Sequence, residues 1–275
     1  MMITKNNWLG TNLSNRIVNP TVDFELLITP YPFKKMNFGQ AVEMTVKEIG
    51  SKYSNLYLGL SGGSDSEFVL RAFHKHNIPI TPIIVLYANE VESKYAYKVC
   101  KELKITPIEI ILTDDQFLNC LEEKIYKRFN SPAYNLPHVM FAAEYTEKNN
   151  GTLICGNHLI GDGDDLIIDD KFAFSNEWDY FIEYTYPAVN KIDLFLYTIE
   201  IMYSMFPESN EGTWNEYKQK LFNIEYRKKI RSNYSDLVKS KIRSLLVRKE
   251  GYKHKKSYEW TKSEFCEIFK NYIIK

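Results

Sequence analysis

The sequence predicts an α/β protein: a mainly parallel, doubly wound sheet of about five strands, followed by a helical C-terminal portion. Short apolar runs alternate with segments of helical spacing from residue 38 to residue 155, and that alternation implies right-handed crossovers and a sheet covered on both faces. Two of the runs, ITPIIVLY (80–87) and TLIC (152–155), are nearly or wholly apolar, as strands buried on both faces require. From Asn190 onward helical spacing takes over.

The chain has 275 residues, 44% of them hydrophobic, and zero formal net charge, enough for one large core or two modest ones. Residues 1–37 form an N-terminal extension with one strand, around Phe24–Thr29, between proline-containing loops. Apolar residues at 38, 41, 42, 46, 49 and 53 then mark a helix, and Leu56–Leu60 the first core strand. After a Ser-Gly-Gly-Ser-Asp-Ser corner, Val69, Ala72, Phe73 and His76 share a helical face. The strand at 80–87 follows, then a helix with Val91, Tyr95, Val99 and Leu103 spaced by four, and a third strand at 107–112. Helical patterns cover 114–128 and 138–149, the latter with Pro137 suited to a first turn. TLIC closes the series as a fourth strand. The expected division is 1–37, a core at 38–189, and a helical, basic portion at 190–275 with helices around 192–206, Leu237–Val247 and Thr261–Ile274.

Several function classes fall away. Neutrality excludes a protein that coats nucleic acid by bulk charge, although a local patch remains open. Cys100, Cys120, Cys155 and Cys266 form no CxxC or His-paired cluster, so structural zinc and dithiol redox chemistry are not expected. The N-terminal MMITKNNWLG lacks the apolar core of a signal peptide, and no apolar stretch is long enough for a membrane helix. A cytoplasmic address and no membrane partner are the expectation.

The corner from Ser61 to Ser66 leaves the C-terminal end of a parallel strand and opens a helix, where open α/β sheets bind ligands. Gly62 and Gly63 let successive N–H groups converge on one point. The helix beginning near Ser64 adds its partial positive end, and Ser64 with Glu67 fits the capping box. Together these make an anion nest. No Gly-Lys-Ser/Thr follows, so this is not a Walker A loop. Asp65 stands there instead, and a carboxylate beside a phosphate site is electrostatically sensible when Mg²⁺ lies between them. The plainer alternative is a tight glycine turn before a capped helix.

Ser61-Gly62-Gly63-Ser64-Asp65-Ser66 resembles the SGGxDS signature of the PP-loop, or N-type, ATP pyrophosphatases, which include asparagine, GMP, NAD and argininosuccinate synthetases and the tRNA lysidine synthetases. The resemblance implies an adenine nucleotide alpha hydrolase-like fold that binds ATP across the strand ends. It also implies attack by an acceptor oxygen on the α-phosphorus, loss of pyrophosphate, and displacement of AMP by a nucleophile. Carried over residue by residue, it assigns Ser61 and Asp65 to catalysis, Ser61 to Ser66 to the β- and γ-phosphates, and Asp65 to magnesium. Leu60, Leu86 and Tyr87 would flank adenine; ordinary sheet core is the alternative for those three.

The fourth strand runs into CGNHLIGDGDD, Cys155 to Asp165, which looks like the second loop of the asparagine synthetase branch. Gly156 fits by adjacency to the strand, whereas Gly161 to Asp165 fits by pattern. Three carboxylates within four residues repel unless screened, so Asp162 and Asp165 are metal candidates, with a solvated acidic loop as the alternative; His158 is a weaker one. Between Tyr226 and Lys256 there are twelve Lys or Arg and two acids. That stretch reads as a solvated face, as a source of a cation for the triphosphate (Lys228, Lys241 or Lys253), or as an RNA-binding surface.

Departures from family patterns narrow the branch. Residue 2 is Met and the loop begins at residue 61, so no glutaminase domain is expected ahead of it, and nitrogen would come as ammonia, an amine, or the product of a separate subunit. Sulfur-inserting and deazapurine-making enzymes need cysteine sets absent here, and Cys266 lies in the helix-like EFCEIF. The expected activity is an ATP-dependent, AMP-forming ligase or amide synthetase acting on a small-molecule acceptor. The alternatives are a tRNA-modifying ligase and a catalytically silent nucleotide-binding module.

Overall fold

Five parallel strands carry the site. In the computed structural model the described residues are 2–4, 8–12, 25–129, 134–157, 171–174, 181–182, 184–205, 214–224, 233–247 and 258–274. The chain opens with an antiparallel meander of β1 (Met2–Thr4), β2 (Leu9–Asn12) and β3 (Glu25–Ile28), then a short β4 (Phe33–Lys34). Next come α1 (Phe38–Lys52), β5 (Leu56–Gly59), α2 (Ser64–Lys75), β6 (Thr81–Leu86), α3 (Glu90–Leu103) and β7 (Ile108–Ile111). The segment read as one helix over 114–128 is α4 (Asp114–Asn119), a π-helical stretch Cys120–Tyr126, and a last turn α5 (Lys127–Phe129). After α6 (Leu136–Lys148), with its proline in the first turn, β8 (Thr152–Cys155) enters the sheet.

The remaining elements are β9 (Lys171–Phe174), β10 (Asn190–Asp193), α7 (Leu194–Tyr197), α8 (Ile199–Ser204), α9 (Trp214–Phe222), α10 (Asp236–Val247), β11 (Tyr258–Thr261), α11 (Lys262–Phe269) and β12 (Ile273–Ile274). β11 pairs with β9, and β12 runs parallel to β4. Among the described residues no helix is long and apolar enough to cross a membrane.

The main sheet has the order β10-β8-β5-β6-β7 with every pairing parallel. Its fifth strand corrects the sequence reading: Asn190–Asp193 is a strand, not the start of a helix, and it lies just beyond the boundary drawn at residue 189. The run reads as polar because it holds Lys191 and Asp193. In the structure the two are buried and paired, Nζ to Oδ2 at 2.6 Å.

Helix α1 starts on a capping box in which Asn37 Oδ1 accepts from Gln40 N and Gln40 Oε1 accepts from Asn37 N. Its apolar stripe is buried, and it packs beside α2, which packs beside α3. Phe68 of α2 is fully buried, with Phe38, Phe195 and Phe222 rings at 5.7, 5.5 and 4.9 Å. Helix α6 packs on β5, β6 and β8, where Tyr57 and Tyr145 meet edge to face. The chain thus winds from β5 through β6 to β7, then returns to place β8 on the other side of β5. The N-terminal meander is tied in by Trp8, whose Nε1 donates to Leu196 O and whose ring meets Phe269.

Glu144 of α6 holds that helix to the π-helical stretch, accepting from Lys124, Lys148 and Tyr186. Burial alone would raise its carboxyl pKa, but the hydrogen bonds from Lys148 and Lys124 hold it down to about 2. A carboxyl depressed in the folded state stabilises above its unfolded pKa and loses that contribution as pH falls through the folded value. Urea denaturation of wild type and Glu144→Gln should therefore show the wild-type advantage at pH 6 shrinking between about pH 4.5 and about 2. A difference that stays constant across that window would mean Glu144 is not held as described.

Candidate functional site

In an open sheet, the place where successive strands send their connections in opposite directions leaves a crevice beyond the carboxyl ends. Here that place lies between β5 and β8, and the loop 61–66 leaves β5 at its edge. Leu60, buried, donates its N–H to Ile83 O at 2.9 Å, which carries β5 past its last ladder pair before the chain turns.

Gly62 takes φ +88, and a Cβ there would lie 1.9 Å from the carbonyl oxygen of Glu92. The loop thus presses its backbone against the first turn of α3, which a side chain would prevent. Ser61 Oγ accepts from Gly63 N at 3.2 Å and lies 3.2 Å from Ser66 Oγ, while Ser66 Oγ donates to Gly63 O at 3.1 Å. The three hydroxyls of the motif are therefore divided: two brace the turn from inside, and Ser64 faces elsewhere.

The expected capping box does not form. Gly63 is the N-cap residue of α2, so no side chain caps that end. Ser64 lies inside the helix, and Glu67, buried, instead accepts from Arg71 Nε at 2.7 Å. A helix end without a side-chain cap is suited to receive an anion.

Ser64 and Asp65 are held by a residue the motif does not contain. Lys218 of α9 donates from Nζ to Ser64 Oγ at 2.8 Å and to Asp65 Oδ1 at 2.9 Å. Its side chain is 1% exposed, against 31% for Asp65. Helix α9 lies on α2, with Phe222 against Phe68, and Tyr217 meets Phe38 at the start of α1. A cation does reach the loop, but from outside the basic stretch 226–256. Lys241 pairs with Glu122 instead, and Lys228 and Lys253 lie outside the described residues. A signal was present: Trp214, Tyr217, Lys218, Leu221 and Phe222 fall at i, i+3, i+4, i+7 and i+8, so the lysine sits in an apolar helical stripe.

Gly156, just after β8, brings the second loop to the first. A Cβ there would lie 3.1 Å from the carbonyl carbon and oxygen of Asp65, so β8 ends against the first turn of α2. Asp162, Asp165, His158 and the Gly161–Asp165 run lie outside the described residues. Among the described residues no group of three or more His, Cys, Asp or Glu gathers to hold a metal. Asp65 alone fits Mg²⁺ if phosphate oxygens complete the shell, since Mg²⁺ commonly takes one or two carboxylates plus phosphates.

Leu86 ends β6, half-buried. Tyr87 is engaged throughout: its ring stacks on Phe117 at 4.4 Å, its OH donates to Asp114 Oδ1 at 2.7 Å, and its N–H donates to Asn89 Oδ1. His138 Nε2 lies 3.0 Å from the Tyr87 carbonyl; a carbonyl only accepts, so that nitrogen carries the proton. Burial lowers the His138 pKa and keeps the ring neutral. Ser235 reaches the same cluster, donating to Asp114 Oδ2 at 2.6 Å, while Tyr234 packs on Phe117 and Asn233 N bonds to Ala88 O. These contacts lay a C-terminal segment over the end of β6. Cys100, Cys120 and Cys155 are buried, and burial pushes the Cys100 and Cys120 thiols up to about 11 and about 12, which keeps both protonated near neutral pH.

No family model and no curated protein matches this chain. Among solved structures it is similar to the NH3-dependent NAD synthetase of Campylobacter jejuni, at 17% identity over 45% of this chain and 58% of that one, TM-score 0.35. It is similar to the glutamine-dependent NAD+ synthetase of Acinetobacter baumannii, at 15% identity over 48% and 28%, TM-score 0.35. It is also similar to the NMN synthetase of Francisella tularensis, at 15% identity over 82% and 97%, TM-score 0.38. The chain thus spans a little over half of the first and under a third of the second. At these levels a functional reading stands on the loop and not on the neighbours.

The loop geometry separates its two glycines. Gly62→Ala should destabilise by about 2 kcal/mol or more, through left-handed strain and the Glu92 contact. Gly63→Ala, at φ −71 with only the Ser61 hydroxyl within 3.3 Å, should change stability by less than about 1 kcal/mol. Urea midpoints measure both, and equal effects would contradict the described packing.

Proposed function

We propose that this chain is an ATP-dependent, AMP-forming ligase of the PP-loop type that activates a small carboxylate- or carbonyl-bearing acceptor. The observation that supports it most is the meeting of three things at one point: a glycine loop at the winding reversal, a helix end without a side-chain cap, and the Lys218 ammonium on Ser64 and Asp65.

Each part has a role in that chemistry. The backbone of 61–66 and the first turn of α2 bind the β- and γ-phosphates, as an anion at a helix N-terminus is bound. Lys218 neutralises charge that accumulates on the departing pyrophosphate, stabilisation that is worth most where water is excluded. Asp65, with Asp162 and Asp165 from the second loop, forms the proposed metal set. Magnesium, when bound, screens the phosphates from these carboxylates. Leu86, half-buried at the end of β6, offers apolar surface for the base, with Leu60 buried beneath it and Tyr87 fixed behind. The acceptor oxygen attacks the α-phosphorus, pyrophosphate leaves, and a nucleophile then displaces AMP. Nitrogen would come from ammonia, an amine, or a separate subunit.

The test is incubation with α-labelled ATP, magnesium and a panel of carboxylic acids and amines. AMP and pyrophosphate are expected. ADP would indicate a different reaction, and no turnover with intact nucleotide binding would make the chain a silent module. Asp65→Asn should lower pyrophosphate release about 100-fold or more while keeping the thermal midpoint within a few degrees.

A further inference from the structure

Asp65 faces two claims. On the reading above it holds a divalent cation, yet its Oδ1 already accepts from the Lys218 ammonium at 2.9 Å. The two partners differ in freedom. The Lys218 side chain is 1% exposed, fixed on a helix packed against α2, with a second bond to Ser64 Oγ at 2.8 Å. Asp65 stays about a third open to solvent.

A metal ion arriving alone would have to break a charge-assisted hydrogen bond and sit beside a buried ammonium. Repulsion between like charges at that range is strong where water is scarce. A polyphosphate removes both obstacles. Its oxygens can accept from Lys218 in place of the carboxylate, and they supply the rest of the metal's shell. Resting on the ATP reading, we infer that Lys218 is a gate on Asp65: the site refuses a divalent cation alone and admits one only together with a polyphosphate. Metal and triphosphate then enter as one unit, and the pyrophosphate product carries the metal out as Lys218 returns to Asp65.

Mn²⁺ binding, followed by the spin-resonance signal of the free ion, tests this on the full chain, with α,β-methylene ATP as the nucleotide. Wild type should bind Mn²⁺ alone at least about tenfold more weakly than Lys218→Met, whose side chain keeps the stem but not the charge. The gain in that variant should vanish on adding Asp65→Asn, which assigns it to this carboxylate and not to other acids. With the analogue present, wild type should bind one Mn²⁺ that Asp65→Asn loses. Equal Mn²⁺ affinity in wild type and Lys218→Met overturns the gate even where the analogue binds with metal, and leaves the ATP reading standing. Failure of the analogue to bind wild type, with or without metal, overturns the ATP reading and the gate with it. If circular dichroism shows Lys218→Met unfolded, wild type decides alone. An Asp65-dependent Mn²⁺ affinity that rises about tenfold or more with the analogue supports the gate, and one that does not change overturns it.

Discussion

A parallel sheet wound toward both edges must reverse direction once, and here the reversal falls between β5 and β8. α2 leaves β5 on the face that also carries α1 and α3, while α6 reaches β8 from the other side. Two connections that diverge cannot both fill the space above the strand ends, so the fold itself produces the crevice. What the chain adds is closeness. Gly62 lets the first loop touch the Glu92 carbonyl, and Gly156 lets β8 end against the Asp65 backbone. A side chain at Gly62 would collide with the Glu92 carbonyl, and one at Gly156 would press on the Asp65 backbone.

Four strands of the sheet were legible from their apolar runs, and in β6 and β8 burial leaves little room for polar residues. Leu56–Gly59, Thr81–Leu86, Ile108–Ile111 and Thr152–Cys155 all fall within the apolar runs expected for them. β10 was hidden by the opposite circumstance: in NKID a lysine and an aspartate two residues apart share a face of the strand and neutralise each other, so a buried strand looks solvated. The loop was legible from its glycines and its aspartate. The lysine that engages it was not, because Lys218 lies 153 residues from Asp65 and no local pattern encodes such a pairing. The same distance problem hid the Ser235–Asp114–Tyr87 chain, which joins three elements that are remote in sequence.

Lys218 and Lys191 are both lysines with 1% of the side chain exposed, each on an aspartate, yet they serve different ends. Lys191 and Asp193 are both enclosed, on one strand, and solvent scarcely reaches either. Lys218 is enclosed but its aspartate is not. Burying an ammonium is rarely the most stabilising use of a core position, since an apolar side chain of the same length often does as well or better. The Lys218 ammonium instead lies beside a carboxylate that stays about a third open to solvent.

The C-terminal portion is attached to the sheet core at two separate places among the described residues. α9 is set on α1 and α2 by aromatic contacts, Tyr217 on Phe38 of α1 and Phe222 on Phe68 of α2, and these place Lys218 on the loop. The segment leading into α10 is set on the end of β6 by Ser235 on Asp114 and by Tyr234 on Phe117. Tyr87 sits beneath that second attachment with its ring and both main-chain polar groups engaged. It serves as the point where the C-terminal segment is fastened. Residues 38–189 by themselves lack β10, Lys218 and the segment packed over β6, so the loop and the helices that follow the sheet are joined structurally.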